Sequence, residues 1–386
     1  MPFENRTVMK QKLEFILLIK NNNKIRFKEL CNRFKISRKT GYKWLNRFNK
    51  IGISGLENNS RRPIRSPLKC RKEIEDYVIK LRKDEPEWGP KKLKRILDNQ
   101  HEKGYYPYEY VPCKNTIGKI LKRNNLIDPE KSLKAKPFQK FEYDNPNDLW
   151  QIDFKGYFKM LNYELCYPLA ILDDHSRFNI GLFACSNQKY LTVKTHLIEI
   201  FKRYGLPVKI LTDNGSPWGT GGWETVDGIR SFTGLEKWLI TLNIKLIHGR
   251  PYHPQTQGKE ERFNRTLKLE LLKYYHFRDL NHCQIHFDKW REKYNCIRPH
   301  ESLNQDIPMD HYKPSKRNYP ETTPVIEYDP ACVVRKVMEG GLVAFKGKDF
   351  RVGKAFIGDY VGIKAVNNDE WSVYFCNQLI RNISLK

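Results

Sequence analysis

The sequence predicts an α/β protein with an all-α N-terminal part, a mixed-sheet core and a small C-terminal β-barrel. Through residue 127, apolar side chains recur at the spacing of helices. From Leu149 onwards, short β-rich runs come first and then alternate with helical stretches, which is typical of a mixed sheet. Residues 320–386 return to short alternating segments divided by turns, which favours a small barrel. The 386 residues suffice for two or three domains with a sizeable core.

A helix-turn-helix arrangement is predicted within residues 1–56. An apolar helical face runs from Phe27 to Phe34, and a short break follows at Lys35–Ile36. Ser37 is then a favourable N-cap for a second helix. In the DNA-reading form of this motif, the second helix enters a major groove. Its groove-facing candidates are Arg38, Lys39, Thr40 and Lys43. The alternative is an ordinary three-helix bundle with a polar outer face.

A linker and a second helical unit are predicted next. Residues 57–69 are proline-bearing and polar, which denies them a core. Three arginines beside these prolines are candidates for a minor groove, the alternative being a solvated linker: Arg61, Arg62 and Arg65. Residues 70–127 form a second helix-turn-helix-like unit, in which Pro90 opens a helix from a first-turn position. Residues 128–144 are a second polar linker.

The charge of the chain points to a polyanionic partner. The formal net charge is +26. Residues 1–150 contain 36 basic and 18 acidic side chains, whereas the remaining residues contain 34 and 26. Nucleic acid is the most common partner of so basic a region. A basic surface that serves only solubility is the alternative.

Cysteine usage and hydropathy predict a cytoplasmic protein. The nine cysteines are odd in number and include no CxxC pair, so neither a disulfide framework nor a zinc ribbon is expected. No apolar run reaches the roughly 20 residues that a membrane span requires, so no membrane partner is expected.

Three acidic residues stand in settings that favour metal binding. Asp153 lies inside the apolar strand WQIDF, where burial of a carboxylate is unfavourable unless it is paired or binds a metal ion. Asp213 ends the strand KILTD and precedes an Asn–Gly turn, and strand ends carry functional groups in α/β folds. Glu261 lies near the start of a helix. Carboxylates from two strands and a helix can converge on Mg²⁺ ions that act on a phosphodiester.

Each acid also has a structural interpretation. Asp153 is two residues from Lys155 and can pair with it. Asp213 can cap the turn that follows. Glu261 can pair with Arg265, one helical turn later.

The segments that carry these acids resemble a known superfamily. PNDLWQIDF, LTDNGSPW and YHPQTQGKEERFNRTLK are similar to the three signature segments of DDE transposases and retroviral integrases. YNCIRPHESLNQDIPMDHY resembles the segment that closes this core in bacterial insertion-sequence transposases. The resemblance spans about residues 145–312 and implies an RNase H-like integrase catalytic core over residues 145–314. It also implies a single-chain transposase with N-terminal helix-turn-helix units and a C-terminal β module.

The resemblance assigns the catalytic and metal-binding acids residue by residue. The family's first two acids fall on Asp153 and Asp213. Its third follows a glycine and two variable residues, which from Gly258 gives Glu261. The neighbouring Glu260 is set aside, because consecutive residues point about 100° apart on a helix. A glycine-rich insertion after Asp213, SPWGTGGWETVDGIRSFTG, makes the gap between the second and third acids long, and its role is open.

Other residues of these segments are candidates for contact with DNA. Three lie on the loop before the Glu261 helix, where capping that helix is the alternative role: His253, Gln255 and Gln257. Three more follow Glu261 on the same helical face, where a phosphate backbone is expected: Asn264, Arg265 and Lys268.

The function that the resemblance implies is DNA transposition. Two Mg²⁺ or Mn²⁺ ions support cleavage at the 3′ end of a mobile element and then strand transfer into a target. The implied partners are terminal inverted repeats, target DNA and at least one second copy of the chain, at the bacterial nucleoid. The alternatives are a transposase-derived DNA-binding regulator and a nuclease that cuts without joining. A zinc-binding N-terminus of the retroviral type is not supported, because residues 1–130 contain only one histidine, His101.

Overall fold

The structure is a computed structural model of the whole chain. The residues that it describes are 7–21, 25–58, 69–127, 143–219, 225–226, 229–249, 258–322, 324–367 and 369–384. They form two compact units, Met1–Lys69 and Cys70–Lys386.

The first unit is a small helical domain. Its helices are α1 Val8–Asn21, α2 Phe27–Arg33 and α3 Arg38–Ile51. As predicted, Ser37 caps α3, because its side chain accepts a hydrogen bond from the amide of Thr40. Gly41 lets α3 approach its neighbours closely, since a Cβ there would lie 2.8 Å from Sγ of Cys31. The buried core is small: Phe15, Ile16, Leu30, Cys31 and Leu56.

The second unit begins with three further helices. They are α4 Lys72–Asp84, α5 Pro90–Glu102 and α6 Lys114–Arg123. The predicted start of α5 is confirmed, with Pro90 in its first turn, where the missing amide hydrogen costs nothing. Trp88, Leu93 and Leu97 are buried in the core that these helices share. The predicted N-terminal helical architecture is therefore confirmed.

Ion pairs join α4 and α5 to the mixed-sheet core. Glu270 is the most buried of these acids, and its carboxylate accepts hydrogen bonds of 2.9 and 3.1 Å from Nε of Arg298. Nζ of Lys92, on α5, lies 4.0 Å from the same carboxylate. Burial, and then the Arg298 guanidinium, lower the pKa of Lys92 to about 7. The other pairs across this junction are Lys91–Glu301, Arg95–Asp306 and Lys293–Glu85.

A mixed sheet forms the centre of the second unit, as predicted. Its strands are β1 Leu149–Phe154, β2 Phe158–Lys159, β3 Leu165–Asp173, β4 Asn179–Cys185, β5 Lys209–Thr212 and β8 Lys245–His248. The order is β2-β3-β1-β5-β8, and β4 also pairs with β3. The first strands pair antiparallel, whereas β1, β5 and β8 run parallel. A separate hairpin within the insertion consists of β6 Thr225–Val226 and β7 Ile229–Arg230.

Helices cover both faces of this sheet. The helices of this region are α7 Tyr190–Tyr204, α8 Gly234–Thr241, α9 Gly258–Leu267, α10 Leu280–Cys296 and α11 Pro308–His311. On one face, Leu197 of α7 and Leu239 of α8 share a core with Ile152. On the other, Phe263 of α9 and Phe287 of α10 share a second core with the sheet. These two apolar layers hold β1, β5 and α9 in a fixed relation.

Two small sheets complete the C-terminal part. Their strands are β9 Val333–Lys336, β10 Leu342–Phe345, β11 Lys348–Arg351, β12 Tyr360–Ala365, β13 Glu370–Phe375 and β14 Gln378–Ser384. One sheet has the order β14-β13-β12-β9, and the other pairs β10 with β11. Both enclose one apolar core, which also takes in Phe232 and Ile240 from the mixed-sheet region. The five strands predicted here, VVRKV, LVAFKG, KDFRV, YVGIKAV and WSVYFC, correspond to β9 through β13, whereas β14 was not predicted.

Among the helices that the structure describes, none combines the length and the apolar composition that crossing a membrane requires.

Candidate active site

Asp153 lies near the end of β1, and Asp213 directly follows the neighbouring parallel strand β5. In the pairing of β1 with β5, Gln151 lies opposite Leu211. Continued two residues beyond the last paired residues, this register sets Asp153 opposite Asp213. Adjacent strands lie about 4.8 Å apart, and residues opposite each other point to the same face. The sheet therefore brings these two carboxylates close together at the C-terminal ends of β1 and β5.

The carboxyl group of Asp153 is half-buried and surrounded by other acids. The side-chain amide of Asn264, on α9, donates a hydrogen bond of 3.1 Å to its Oδ2. Burial, and then the carboxylates of Asp213 and Glu261, raise the pKa of Asp153 to about 7. All three predicted acids thus act on one another electrostatically at Asp153.

Asp213 is the second half-buried carboxyl group of this cluster. Burial raises its pKa, and its Oδ1 is buried with no hydrogen-bond partner among the described residues. The loop that carries it is tied down, because the Asn214 side chain donates a 2.9 Å hydrogen bond to the carbonyl of Gly249. A buried carboxylate oxygen without a donor is unfavourable unless a cation binds it.

The start of α9 brings two glutamates to the aspartates. Glu261 is exposed and faces a cavity that Asp153 also lines. Glu260 is only 3% exposed, and both of its carboxyl oxygens are buried without a hydrogen-bond partner in the described part of the chain. Burial, and then the charges of Asp153 and Asp213, raise its pKa well above the usual value. Glu260 was not among the predicted site residues, yet in the folded chain it interacts electrostatically with the same two aspartates.

The simple ion pairs considered for these acids do not form among the described residues. Asp153 accepts a hydrogen bond from Asn264 and is not paired with Lys155, and Glu261 is not paired with Arg265. Burial, and then the charge of Lys268, lower the pKa of Lys155. The structural interpretations of Asp153 and Glu261 as ion-pair partners are therefore wrong.

An open basic cavity adjoins the acids. Its volume is about 430 Å³. The residues that line it are Asp153, Phe154, Lys155, Gly156, Glu261, Asn264, Arg265 and Lys268. Three cationic side chains beside two acids can bind the phosphate backbone of a nucleic acid next to carboxylates that could hold a metal ion. Lys155 is an addition to the predicted set, and its position two residues after Asp153, on the same side of an extended segment, was the available signal.

The donor set suits hard divalent cations. Mg²⁺ prefers carboxylate oxygens, and it usually takes only one or two from the protein, together with water and substrate phosphates. Among the described residues, no three His, Cys, Asp or Glu side chains already surround a single point as a preformed metal site would. A bound cation would nevertheless reduce the repulsion between these carboxylates, and it would give the unpartnered Oδ1 of Asp213 a partner to bind.

The predicted DNA-reading residues of the first unit lie at the start of α3. Arg38, Lys39 and Lys43 are exposed, whereas Thr40 is half-buried and takes part in the Ser37 cap. The remaining predicted contacts lie outside the described residues: Arg61, Arg62, Arg65, His253, Gln255 and Gln257.

Comparison with protein families agrees with this arrangement of parts. Two models described as Integrase core domain match residues 144–254 and 242–308. A helix-turn-helix domain matches residues 11–64, and a homeodomain-like domain matches residues 40–121. The C-terminal domain of the IS481 family transposases matches residues 332–386.

Individual relatives come from viruses and from bacteria. Over 128 residues, the chain is 33% identical to the Gag-Pro-Pol polyprotein of Mason-Pfizer monkey virus, a match that covers 33% of this chain. It spans only about 6% of the length of that polyprotein. Over 261 residues it is 23% identical to the uncharacterized 39.2 kDa protein of insertion element IS476 from Xanthomonas euvesicatoria, covering 66% of this chain and 69% of that protein.

Among solved structures, the HTLV-2 integrase catalytic core domain in complex with magnesium is similar. Its sequence is 17% identical, the match covers 44% of this chain and 97% of that chain, and the TM-score is 0.32.

Proposed function

Since the chain belongs to the DDE transposase and integrase superfamily, we propose that it is a transposase that cleaves DNA at the 3′ ends of a mobile element and joins those ends to a target. The observation that supports the proposal is that the half-buried Asp153, within the matched integrase core, feels the charges of both Asp213 and Glu261. Asp153 lies on β1, Asp213 directly follows the parallel strand β5, and Glu261 acts on Asp153 from α9.

Two Mg²⁺ or Mn²⁺ ions are the proposed cofactors, held by Asp153, Asp213 and Glu261. When bound, such ions lower the pKa of an attacking hydroxyl and stabilise the charge that develops on a phosphodiester during displacement. The carboxylates themselves hold cations, so they need not accept protons from the attacking group.

The chain's other residues position the DNA and the acids. Asn264 fixes the rotamer of Asp153 through its 3.1 Å hydrogen bond. Lys155, Arg265 and Lys268 line the adjoining cavity, where they can contact the phosphate backbone on either side of the scissile bond. The exposed cations at the start of α3 and α6 are proposed to bind the terminal inverted repeats.

The proposed reaction consists of two displacements at phosphorus. Water attacks the phosphodiester at the element's end, a P–O bond forms, and the bond to the 3′ oxygen breaks to release a 3′-hydroxyl. That hydroxyl then attacks a phosphodiester of the target, forms a new P–O bond and displaces the target's own 3′ oxygen. Neither step needs a covalent link between protein and DNA.

Two element ends must meet for joining, so we propose that at least two copies of the chain act together on DNA. A regulator that only binds DNA is the second candidate, because the helix-turn-helix matches alone suit it equally well. The acid cluster favours catalysis, because grouped, partly buried carboxylates destabilise the fold unless they bind a metal ion, and DNA binding alone does not require them.

A cleavage experiment distinguishes these candidates. Duplexes that carry the DNA flanking the gene are labelled at the 5′ end and incubated with the full chain and Mg²⁺ or Mn²⁺. A transposase releases a fragment cut at one fixed phosphodiester, and Asp153→Asn abolishes the cut but keeps the gel shift. A gel shift by wild type without any cut in either metal supports the regulator. Cuts at scattered positions support a nuclease.

A further inference from the structure

Glu260 is the most enclosed acidic group of the candidate site. It is 3% exposed, and neither carboxyl oxygen has a hydrogen-bond partner among the described residues. Asp153 and Asp213 are the charged groups that act on it. A carboxylate in such a place gains no stabilisation from its surroundings in the absence of a ligand.

The helix explains how two successive glutamates reach one cluster. Consecutive residues of a helix point about 100° apart. Glu260 therefore turns into the interior at the start of α9, and Glu261 turns toward the open basic cavity. Glu260 interacts electrostatically with Asp153 and Asp213 from the buried side, and Glu261 interacts with Asp153 from the exposed side.

Helix stability alone does not account for Glu260. An acid in the first turn is favoured by the helix dipole, but an exposed side chain obtains that benefit without the cost of burial. The adjacent Glu261 already supplies a negative charge in the same turn. Two of the other buried residues of α9, Phe263 and Leu267, are apolar, so an apolar residue would suit position 260 for packing.

We propose that Glu260 is a fourth carboxylate ligand of the metal site, which binds a divalent cation from the buried side together with Asp153 and Asp213. The inference rests on the proposed function, because it concerns the same ions. It adds an inner ligand to the three acids already named. Each Mg²⁺ ion takes about six oxygen ligands, so a further carboxylate leaves fewer places for water.

Direct measurement of metal binding tests this role without relying on catalysis. Mn²⁺ is titrated calorimetrically into the metal-free full chain, as wild type and as Glu260→Gln, Glu260→Met, Glu261→Gln and Asp153→Asn. Glu199→Gln, an exposed substitution on α7, is the control. The melting temperature of each variant is recorded in EDTA and in saturating Mn²⁺.

We expect Glu260→Met to melt at a higher temperature than wild type in EDTA, because it removes a buried carboxyl group that has no hydrogen-bond partner among the described residues. We also expect the Mn²⁺ affinity of both Glu260 variants to fall by about 10-fold or more, the scale of loss seen when groups that support a ligand are removed. The rise in melting temperature on adding Mn²⁺ should shrink accordingly. Glu260→Met introduces an apolar side chain of similar length, so the test remains valid if the buried amide of Glu260→Gln impairs folding.

The outcomes separate this inference from the function on which it rests. If Asp153→Asn and Glu261→Gln lose Mn²⁺ affinity while both Glu260 variants bind as wild type does, the fourth-ligand role is overturned and the proposed function stands. If wild type itself binds no Mn²⁺, both are overturned.

Discussion

The side-chain amide of Asn264 donates a hydrogen bond of 3.1 Å to Oδ2 of Asp153, and this bond connects α9 to β1. The bond orients the carboxylate, and it also favours the charged form of Asp153 against the effects of burial and neighbouring acids. Asn264 is thus a positioning residue for a ligand.

Asn264→Ala should weaken Mn²⁺ binding by about 10- to 100-fold, because groups that orient metal ligands carry that much affinity. The fold should be retained, since Asn264 is only half-buried. Calorimetric titration of the full chain measures the change, with Asn46→Ala, an exposed position on α3, as the control. Equal affinity in both variants would show that Asp153 needs no orientation.

The stability of the metal-free chain should depend on pH through Asp153. The pKa of Asp153 is about 7 in the folded chain, above its usual value of 3.8, so the folded state holds a proton that the unfolded state releases. Stability should therefore fall as pH rises from about 4 to 7. Asp153→Asn should reduce this fall when melting is followed in EDTA at pH 5 and pH 8. Asp76→Asn, at an exposed position, is the control and should show the same loss of stability with pH as wild type. If Asp153→Asn also shows the same loss as wild type, the pH dependence does not come from Asp153.

Glu270→Gln should destabilise the chain by about 3–5 kcal/mol, because it leaves the buried Arg298 and Lys92 without a countercharge. Glu301→Gln breaks an exposed pair with Lys91 and should cost less than about 1 kcal/mol. Urea unfolding of both variants gives the comparison. Similar small effects would mean that α5 does not depend on this junction.

Lys268→Ala should lower the salt dependence of DNA binding. Each lost phosphate contact reduces the slope of log K against log salt by about 0.9. Lys202→Ala on α7, on the other face of the sheet, is the matched control and should leave the slope unchanged. Binding of a labelled element end at several KCl concentrations measures both. An unchanged slope for Lys268→Ala would remove the basic cavity from the DNA path.

Local patterns were sufficient to predict most of the fold. Ser37 and Pro90 mark helix starts by their own chemistry, and the mixed sheet follows from the order of strand-like and helical runs. The clustering of Asp153 with Asp213 was also accessible, since each ends or nearly ends an apolar strand.

Long-range relations were not accessible from such patterns. The junction between Arg95 and Asp306 joins residues more than 200 positions apart, and nothing local marks either one. The burial of Glu260 depends on how α9 lies against the sheet, which helical periodicity alone leaves undetermined. The β14 strand was missed because its alternation is interrupted by Arg381 and Asn382.

Strand transfer is the most direct test of the account. A labelled duplex with a pre-cut element end is incubated with a supercoiled target plasmid, the full chain and Mg²⁺ or Mn²⁺. Wild type, Asp213→Asn and Glu261→Gln are compared. We expect joined product from wild type only, absent in EDTA, with losses of more than about 100-fold in each variant, since even supporting groups carry about 10- to 100-fold. Specific binding by wild type with no joined product in either metal, or joining by Asp213→Asn at the wild-type rate, would contradict the account.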